Sequence, residues 1–303
     1  MKIIECVPNF SEGRNREKID GITAALSAVE GVRLLDVCID ADHNRTVLTF
    51  IGAPEDVEKG AVAVCERAIE LIDMREHRGV HPRIGAVDVV PFVPLKGATM
   101  KDAVDVAHRF GRIFGQRNKI PVYFYGEAAL DPLRRELPDI RKGGYEGLKA
   151  RINDPLWVPD AGPTRFNPQG GATVVGAREP LIAFNINLAT DDLQAAKIIA
   201  RSIRQSSGGL RHIKAIGVPL KSRNIVQVSM NLTNYKATSL RTVFDEVKKR
   251  SSSYGISVLE SELVGLIPEE ALKGVTAEYL QLSNFRAECV IETHLLSLRG
   301  TTQ

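Results

Sequence analysis

Residues 32–52 read VRLLDVCIDADHNRTVLTFIG. Two runs rich in β-branched and other apolar residues, 32–38 and 45–52, are joined by the polar connector IDADHN (39–44). Apolar runs of this length bounded by turn-forming Asp and Asn predict two strands. KIIECVP (2–8) upstream reads as a further strand. NREKIDGITAALSAVEG follows it, with Ile19, Ile22, Leu26 and Val29 at helical spacing and Gly31 as a stop signal. Downstream, Pro54 opens a second helical pattern, PEDVEKGAVAVCERAIELID, and GAVDVVPFV (85–93) is the next strand. The resulting order is βαββαβ, the split-βαβ or ferredoxin-like pattern.

The same order recurs after residue 180. PLIAFNINL, RHIKAIGV, NIVQVSMNL and GISVLESELVG read as strands, while DDLQAAKIIARSIRQ and SLRTVFDEVKKRSSS read as helices. Identity between the halves is negligible, so the repeat is one of element order. An α+β protein of two similar βαββαβ subdomains is expected, residues 1–179 and 180–303, with the ligand site between them. A helix (TMKDAVDVAHRFGRIFG), a strand (IPVYFYG) and a proline-rich connector intervene, and the tail after about residue 268 reads mostly helical.

The 303 residues are 44% hydrophobic and 25% charged, the balance of an ordinary globular protein too long for one core. A net charge of +3 without a Lys/Arg block gives no nucleic-acid footprint, and the strands lack the aromatic signature of RNA-binding ferredoxin-like domains. Cys6, Cys38, Cys65 and Cys289 have no paired spacing, which suits a reducing compartment. No segment has the apolar length of a membrane span and the N-terminal apolar run is too short for a signal peptide, so a cytoplasmic protein is expected.

In an antiparallel βαββαβ sheet, three connections emerge at one edge: PNFSEG (8–13), IDADHN (39–44) and MREHRGVHPR (74–83). These are the most polar stretches of the first unit, and loops on a rigid scaffold commonly carry chemistry. His77 and His81 are four apart, but Gly79 and Pro82 break a helix, and Arg75, Arg78 and Arg83 repel a cation, so no metal is expected. A neutral-range acid/base histidine in a cationic loop fits better, and His81, fixed by Pro82, is the stronger choice. His77 lacks that constraint and reads as a more dispensable neighbour. Asp40, Asp42 and His43 read as turn residues, and the following Arg45 could clamp a carboxylate with its planar fork. The glycines of GPTRFNPQGGATVVGAR (162–178) spell neither a phosphate loop nor a dinucleotide fingerprint. That stretch reads as a rigid linker, or as a ligand wall in which Phe166 stacks and Arg165 meets an anion. His108, His212 and His294 read as packed or surface residues.

Longer stretches carry a resemblance. ECVPNFSEGRN, HNRTVLTFIGAPEDV, LIDMREHRGVHPRIGAVDVVPFVP, VYFYGEAA and LIAFNINL resemble the glutamate formimidoyltransferases and the formiminotransferase part of the bifunctional formimidoyltransferase-cyclodeaminases, in order from about residue 3 to about 268. The resemblance implies two α/β subdomains with folate between them. It also implies transfer of a formimidoyl group between N-formimidoyl-L-glutamate and N5 of tetrahydrofolate, a step of histidine degradation, in a stand-alone enzyme. The family's proton-donating histidine matches His81. Its folate-binding stretch matches Gly162, Pro163, Thr164, Arg165, Phe166, Asn167, Pro168, Gln169, Gly170 and Gly171. Tetrahydrofolate is then a co-substrate, the partners are small folates and glutamate derivatives, and neither metal, nucleic acid nor membrane is called for. Arg45, Arg78, Arg83 and Arg165 are the arginines available for substrate carboxylates. Formyl transfer from N-formylglutamate on the same site and a non-catalytic folate-binding protein are the alternatives. A homodimer is left open, as are roles for Asp40, Asp42 and His43, because IDADHN departs from the connector of the bifunctional enzymes.

Overall fold

A computed structural model describes residues 1–297. The first unit, Met1–Glu179, is built on one sheet. Its first strand is interrupted: β1 (Ile4–Cys6) and β2 (Asn9–Phe10) flank Pro8, which has no N–H to give a ladder, and both pieces pair antiparallel with the same two neighbours. Those neighbours are β4 (Arg45–Gly52) and β5 (Val87–Pro94), and β3 (Val32–Asp40) pairs outside β4 in antiparallel register, Asp40 opposite Arg45. The expected arrangement is present, with the first strand central. Beyond β5 the sheet gains two parallel strands, β6 (Val122–Gly126) and β7 (Thr173–Ala177), with β7 inserted between β5 and β6.

Helices α1 (Arg16–Ser27), α2 (Pro54–Leu71) and α3 (Met100–Asn118) follow the apolar spacing read from the sequence. Asn15 caps α1 through the Lys18 amide, Pro54 starts α2 where its missing N–H costs nothing, and Thr99 with Asp102 forms a capping box on α3. The three pack on one face of the sheet, burying Ile22, Leu26, Val64, Phe50, Phe92 and Phe110 in one cluster. Two short helices that the sequence did not announce, α4 (Leu137–Arg141) and α5 (Gly144–Arg151), supply Ile140 and Leu148 to a smaller cluster with Val89, Tyr123 and Val174. Alternation along β6 explains the split, since Val122 and Phe124 join the first cluster while Tyr123 and Tyr125 join the second.

The second unit starts at Pro180. Its sheet runs β11 (Val258–Val264), β8 (Ile182–Leu188), β10 (Ile225–Leu232), β9 (Ile213–Leu220), antiparallel throughout, the strand order of the first unit's βαββαβ part. The duplication of element order read from the sequence is therefore a duplication of topology. Helices α6 (Leu193–Ile203) and α7 (Leu240–Ser253), capped by Asp192 and Ser239, bury Ile199, Ile203, Phe244 and Val247 against Phe184, Ile186 and Val228. The alternate residues make a polar face, where Gln227 donates to Asn187 (2.9 Å) and Asn187 to Glu262 (2.6 Å).

Two readings need correction. The tail is not mostly helical: apart from short 3₁₀ turns its described part holds one helix, α8 (Ile291–Ser297). Residues 280–284 instead run along the edge strand β11, with Ser261 N donating to Gln281 O and Ser283 N to Ser261 O, while Leu280 enters the core. Covering an open strand edge satisfies the amides that a separate helix would leave bare. Nor do residues 162–171 form a linker between units, for they lie inside the first and lead into β7.

The three polar connections of the first unit meet at Asn44. Its Oδ1 accepts from Gly13 N (2.9 Å), its Nδ2 donates to Arg78 O (3.0 Å), and its own carbonyl faces His77 Nε2 (3.0 Å). Asn44 is buried and its φ is 50°, a left-handed conformation that Asn tolerates better than most residues. Gly79 packs so closely on this junction that a Cβ there would lie 2.5 Å from His43 O. Replacing Asn44 with Gly keeps the backbone but strands a buried amide and a carbonyl, and should cost about 2–4 kcal/mol. Asn44→Ala should cost roughly 1 kcal/mol more because of the left-handed backbone. Urea unfolding of both variants measures this, and equal stability to wild type in either would refute the junction's role.

Candidate active site

The loop 74–83 is held at both ends and in the middle. Met74 N donates to Gln169 O (2.9 Å), and Arg83 forks onto Glu146 (2.7 and 3.0 Å). Arg83 Nε also donates to His77 Nδ1 (3.2 Å), which leaves the proton of His77 on Nε2 to be donated to Asn44 O. His77 is only 7% exposed. It is a neutral brace of the loop and not the dispensable neighbour that the sequence suggested, because the fold buries it between two elements remote in sequence.

His81 is partly buried, and its Nε2 accepts a hydrogen bond from Arg45 Nη1 at 2.7 Å. A guanidinium only donates, so the imidazole offers a lone pair there. Desolvation first, then the positive charges of Arg45 and Arg141, hold its pKa well below the usual histidine range. At neutral pH His81 is thus an uncharged base. Arg141, at the end of α4, pairs with the buried Asp88 of β5, whose other oxygen accepts Ile84 N (2.9 Å). His43, Arg45, His81 and Asp88 line one small cavity at the loop-bearing edge of the sheet. Among the described residues no group of three His, Cys, Asp or Glu is arranged to hold a metal ion.

The structure joins Arg45 to His81. Asp42 and His43 lie in the turn, as read from their residue types. Asp40 is not a turn residue but ends β3 opposite Arg45, where the ladder extends further than the polar sequence suggested. The structure adds that the His43 ring turns inward. The stretch Gly162–Gly171 is a built turn beside the same loop. Asn167 Oδ1 accepts the amides of Gln169 and Gly170, Gly170 O accepts Ala86 N, and Gly171, at φ 69°, would put a Cβ 2.2 Å from Ile84 O. Within it Phe166 packs on Tyr145 with ring centroids 5.6 Å apart, while Thr164, Arg165, Pro168 and Gln169 are exposed. None of these ten residues lines the His81 cavity. Arg78 spends its guanidinium on the carbonyls of Arg75 and His77, and Arg83 on Glu146 and His77, so neither is an idle cation.

Several residues escaped the sequence reading. Asp88 and Glu5 did leave a signal, since each is an acid within an apolar strand run. Glu5 is 5% exposed, and desolvation, against the opposing charge of Arg178, pushes its carboxyl up to about 7. Arg141 left none, because its partner is 53 residues away.

Two ferredoxin-like sheets, one bearing a histidine–arginine cavity on its joined loops, define an α+β protein. Residues 3–178 match the family described as "Formiminotransferase domain, N-terminal subdomain", and residues 183–297 match "Formiminotransferase domain". The chain belongs to the formiminotransferase family. It is 43% identical to a glutamate formimidoyltransferase of Streptococcus pyogenes over 97% of this chain and 99% of the relative. It is 44% identical to one of Thermoplasma acidophilum over 96% and 97%. The rat formimidoyltransferase-cyclodeaminase is 46% identical over 92% of this chain but only 52% of its own length.

The depressed imidazoles have a consequence for stability. His77 is lowered mainly by desolvation, as His81 is, so the unfolded chain takes up protons near 6.5 that the folded one refuses. Their contribution is complete above that value and is lost as pH falls. Glu5 has the opposite sign: its contribution is present below the usual carboxylate range and lost as pH rises through about 7. Comparing wild type with His81→Gln cancels Glu5. The melting-temperature advantage of wild type should shrink between about pH 8 and about pH 5. An advantage that stayed constant or grew on acidification would show that His81 is not buried as the neutral base.

Proposed function

We propose that this chain transfers the formimidoyl group between N-formimidoyl-L-glutamate and tetrahydrofolate, giving 5-formimidoyltetrahydrofolate and L-glutamate, with His81 moving the proton. The observation that carries this reading is the neutral His81 with its lone pair held toward Arg45 in a cavity walled by charged and polar groups. The near-full-length relatives that are glutamate formimidoyltransferases support the substrates.

The chemistry requires one proton to change places. The N5 lone pair attacks the formimidoyl carbon, and the C=N π electrons move to the terminal nitrogen. N5 in the tetrahedral intermediate carries a proton it must lose, and the glutamate nitrogen must gain one before its C–N bond breaks. A neutral imidazole does both: His81 takes the N5 proton and delivers it to the departing amine. It acts as the acid expected from the sequence, but with a proton acquired in the same turnover. Arg45, released from His81 as substrate enters, would turn its fork to a carboxylate. The turn Gly162–Gly171 is the proposed folate-binding stretch, with Phe166 for stacking and Arg165 for the anionic tail. The proposal places the reaction in the cytoplasm, consistent with cysteines that form no disulfide among the described residues.

His81→Ala should lower kcat by roughly 10²–10⁴ while the Kd for tetrahydrofolate changes little. The acid limb of the kcat–pH profile, where His81 becomes protonated and cannot accept from N5, should disappear with it. Retention of wild-type kcat would eliminate His81 as the proton carrier. Loss of folate binding together with a collapsed melting transition would make the residue structural.

A further inference from the structure

His43 is the most fully buried imidazole of the cavity, at 1% exposure, yet its Nε2 has no hydrogen-bond partner. Its other nitrogen is firmly engaged: Nδ1 lies 2.5 Å from Asp40 Oδ2, and the His43 amide donates to Asp40 Oδ1 at 2.8 Å. Burial alone would raise the Asp40 carboxyl, but the hydrogen bonds from His43 and the nearby charge of Arg45 hold it below its ordinary range. The carboxylate is therefore ionised and can only accept, which puts a proton on Nδ1. In the neutral ring the lone pair then sits on Nε2, inside the protein. The ring stands edge-on to His81, with centroids 5.9 Å apart, and lines the same cavity. A buried polar atom left without a partner is costly, and in a native fold it calls for a reason such as a catalytic role or a bound group.

We propose that His43 is a specificity-determining residue whose Nε2, oriented by Asp40, accepts a hydrogen bond from the N–H of the formimidoyl group. The inference rests on the transfer reaction proposed above and adds what selects its one-carbon unit. The two competing donors differ at one atom: a formimidoyl group presents an N–H where a formyl group presents only a carbonyl oxygen. An acceptor facing that atom favours the first and sets lone pair against lone pair with the second. A site built around a substrate N–H rejects an analogue lacking it more strongly than an apolar pocket could. The charged groups around the ring are Arg45, Arg141, Asp40 and Asp88, of which Asp88 is paired with Arg141 and Asp40 with His43 itself.

The test is the ratio of kcat/KM for N-formimidoyl-L-glutamate to that for N-formyl-L-glutamate, both with tetrahydrofolate, in wild type and three variants. His43→Phe fills the ring volume without an acceptor and should lower the ratio by about 10–100-fold, the cost of leaving a buried substrate donor unpaired. His43→Gln keeps an amide oxygen that can accept, and should retain more of the ratio. Asp40→Asn can donate to Nδ1 and move the ring proton to Nε2, which should shift the ratio toward the formyl substrate. Circular dichroism and melting temperature identify a variant that fails to fold, and the Gln and Asn variants then decide the matter. An unchanged ratio in the folded variants, including an equal loss on both substrates, overturns the role of His43 and leaves the transfer reaction standing. Wild-type protein inactive on both substrates overturns both proposals.

Discussion

The side chain of Asn44 joins three connections that are far apart in sequence, and the cavity depends on that junction. One amide group reaches the backbone of the 8–13 connection and that of the 74–83 loop, while the residue's carbonyl meets His77. His43 and Arg45 are its chain neighbours, so fixing Asn44 fixes the origin of both. The left-handed backbone at Asn44 ends the turn and lets Arg45 begin a strand with its side chain inside the loop cluster. Loops of this polarity would otherwise sample many conformations, and a buried amide hydrogen-bonded through both its oxygen and its nitrogen removes that freedom at little enthalpic loss.

On this frame the electrostatics follow from proximity. Arg45 and Arg141 bring two permanent positive charges to a partly desolvated imidazole, and both effects remove its proton. The counter-charges, Asp40 and Asp88, are each committed to another partner, His43 and Arg141, and so do not restore it. The result is a base set between cations. His77 shows the contrasting use of the same residue type. Both of its nitrogens are engaged, and it supports the loop without a free lone pair.

The two units carry one topology on unlike sequences, and only the first supplies the His81 cavity. In each unit the alternation of apolar and polar residues sends one face of the sheet to its helices. Phe50 and Phe92 do this in the first, and Val228 and Met230 in the second. The two parallel strands β6 and β7 distinguish the first unit, and β7 places the turn at 167–171 against the segment that follows His81.

The sequence by itself determined the periodic part of this protein. The hairpin at 32–52, the helices at Ile19–Leu26 and after Pro54, and their repetition after residue 180 all rest on local spacing and turn chemistry. Its misreadings have a common cause. The tail from 268 contains good helix formers, yet it runs beside β11 because that edge has unpaired amides, a fact invisible to any local window. His77 looked dispensable because its partners, Asn44 and Arg83, meet it only in the folded chain. Whether His43 points outward as a turn residue or inward beside His81 is equally beyond a spacing argument. Local sequence sets backbone conformation through sterics and side-chain pattern. Which nitrogen of a histidine is engaged, and which charge stands next to it, depends on contacts such as that of His81 with Arg45, 36 residues away, and only the tertiary structure decides them.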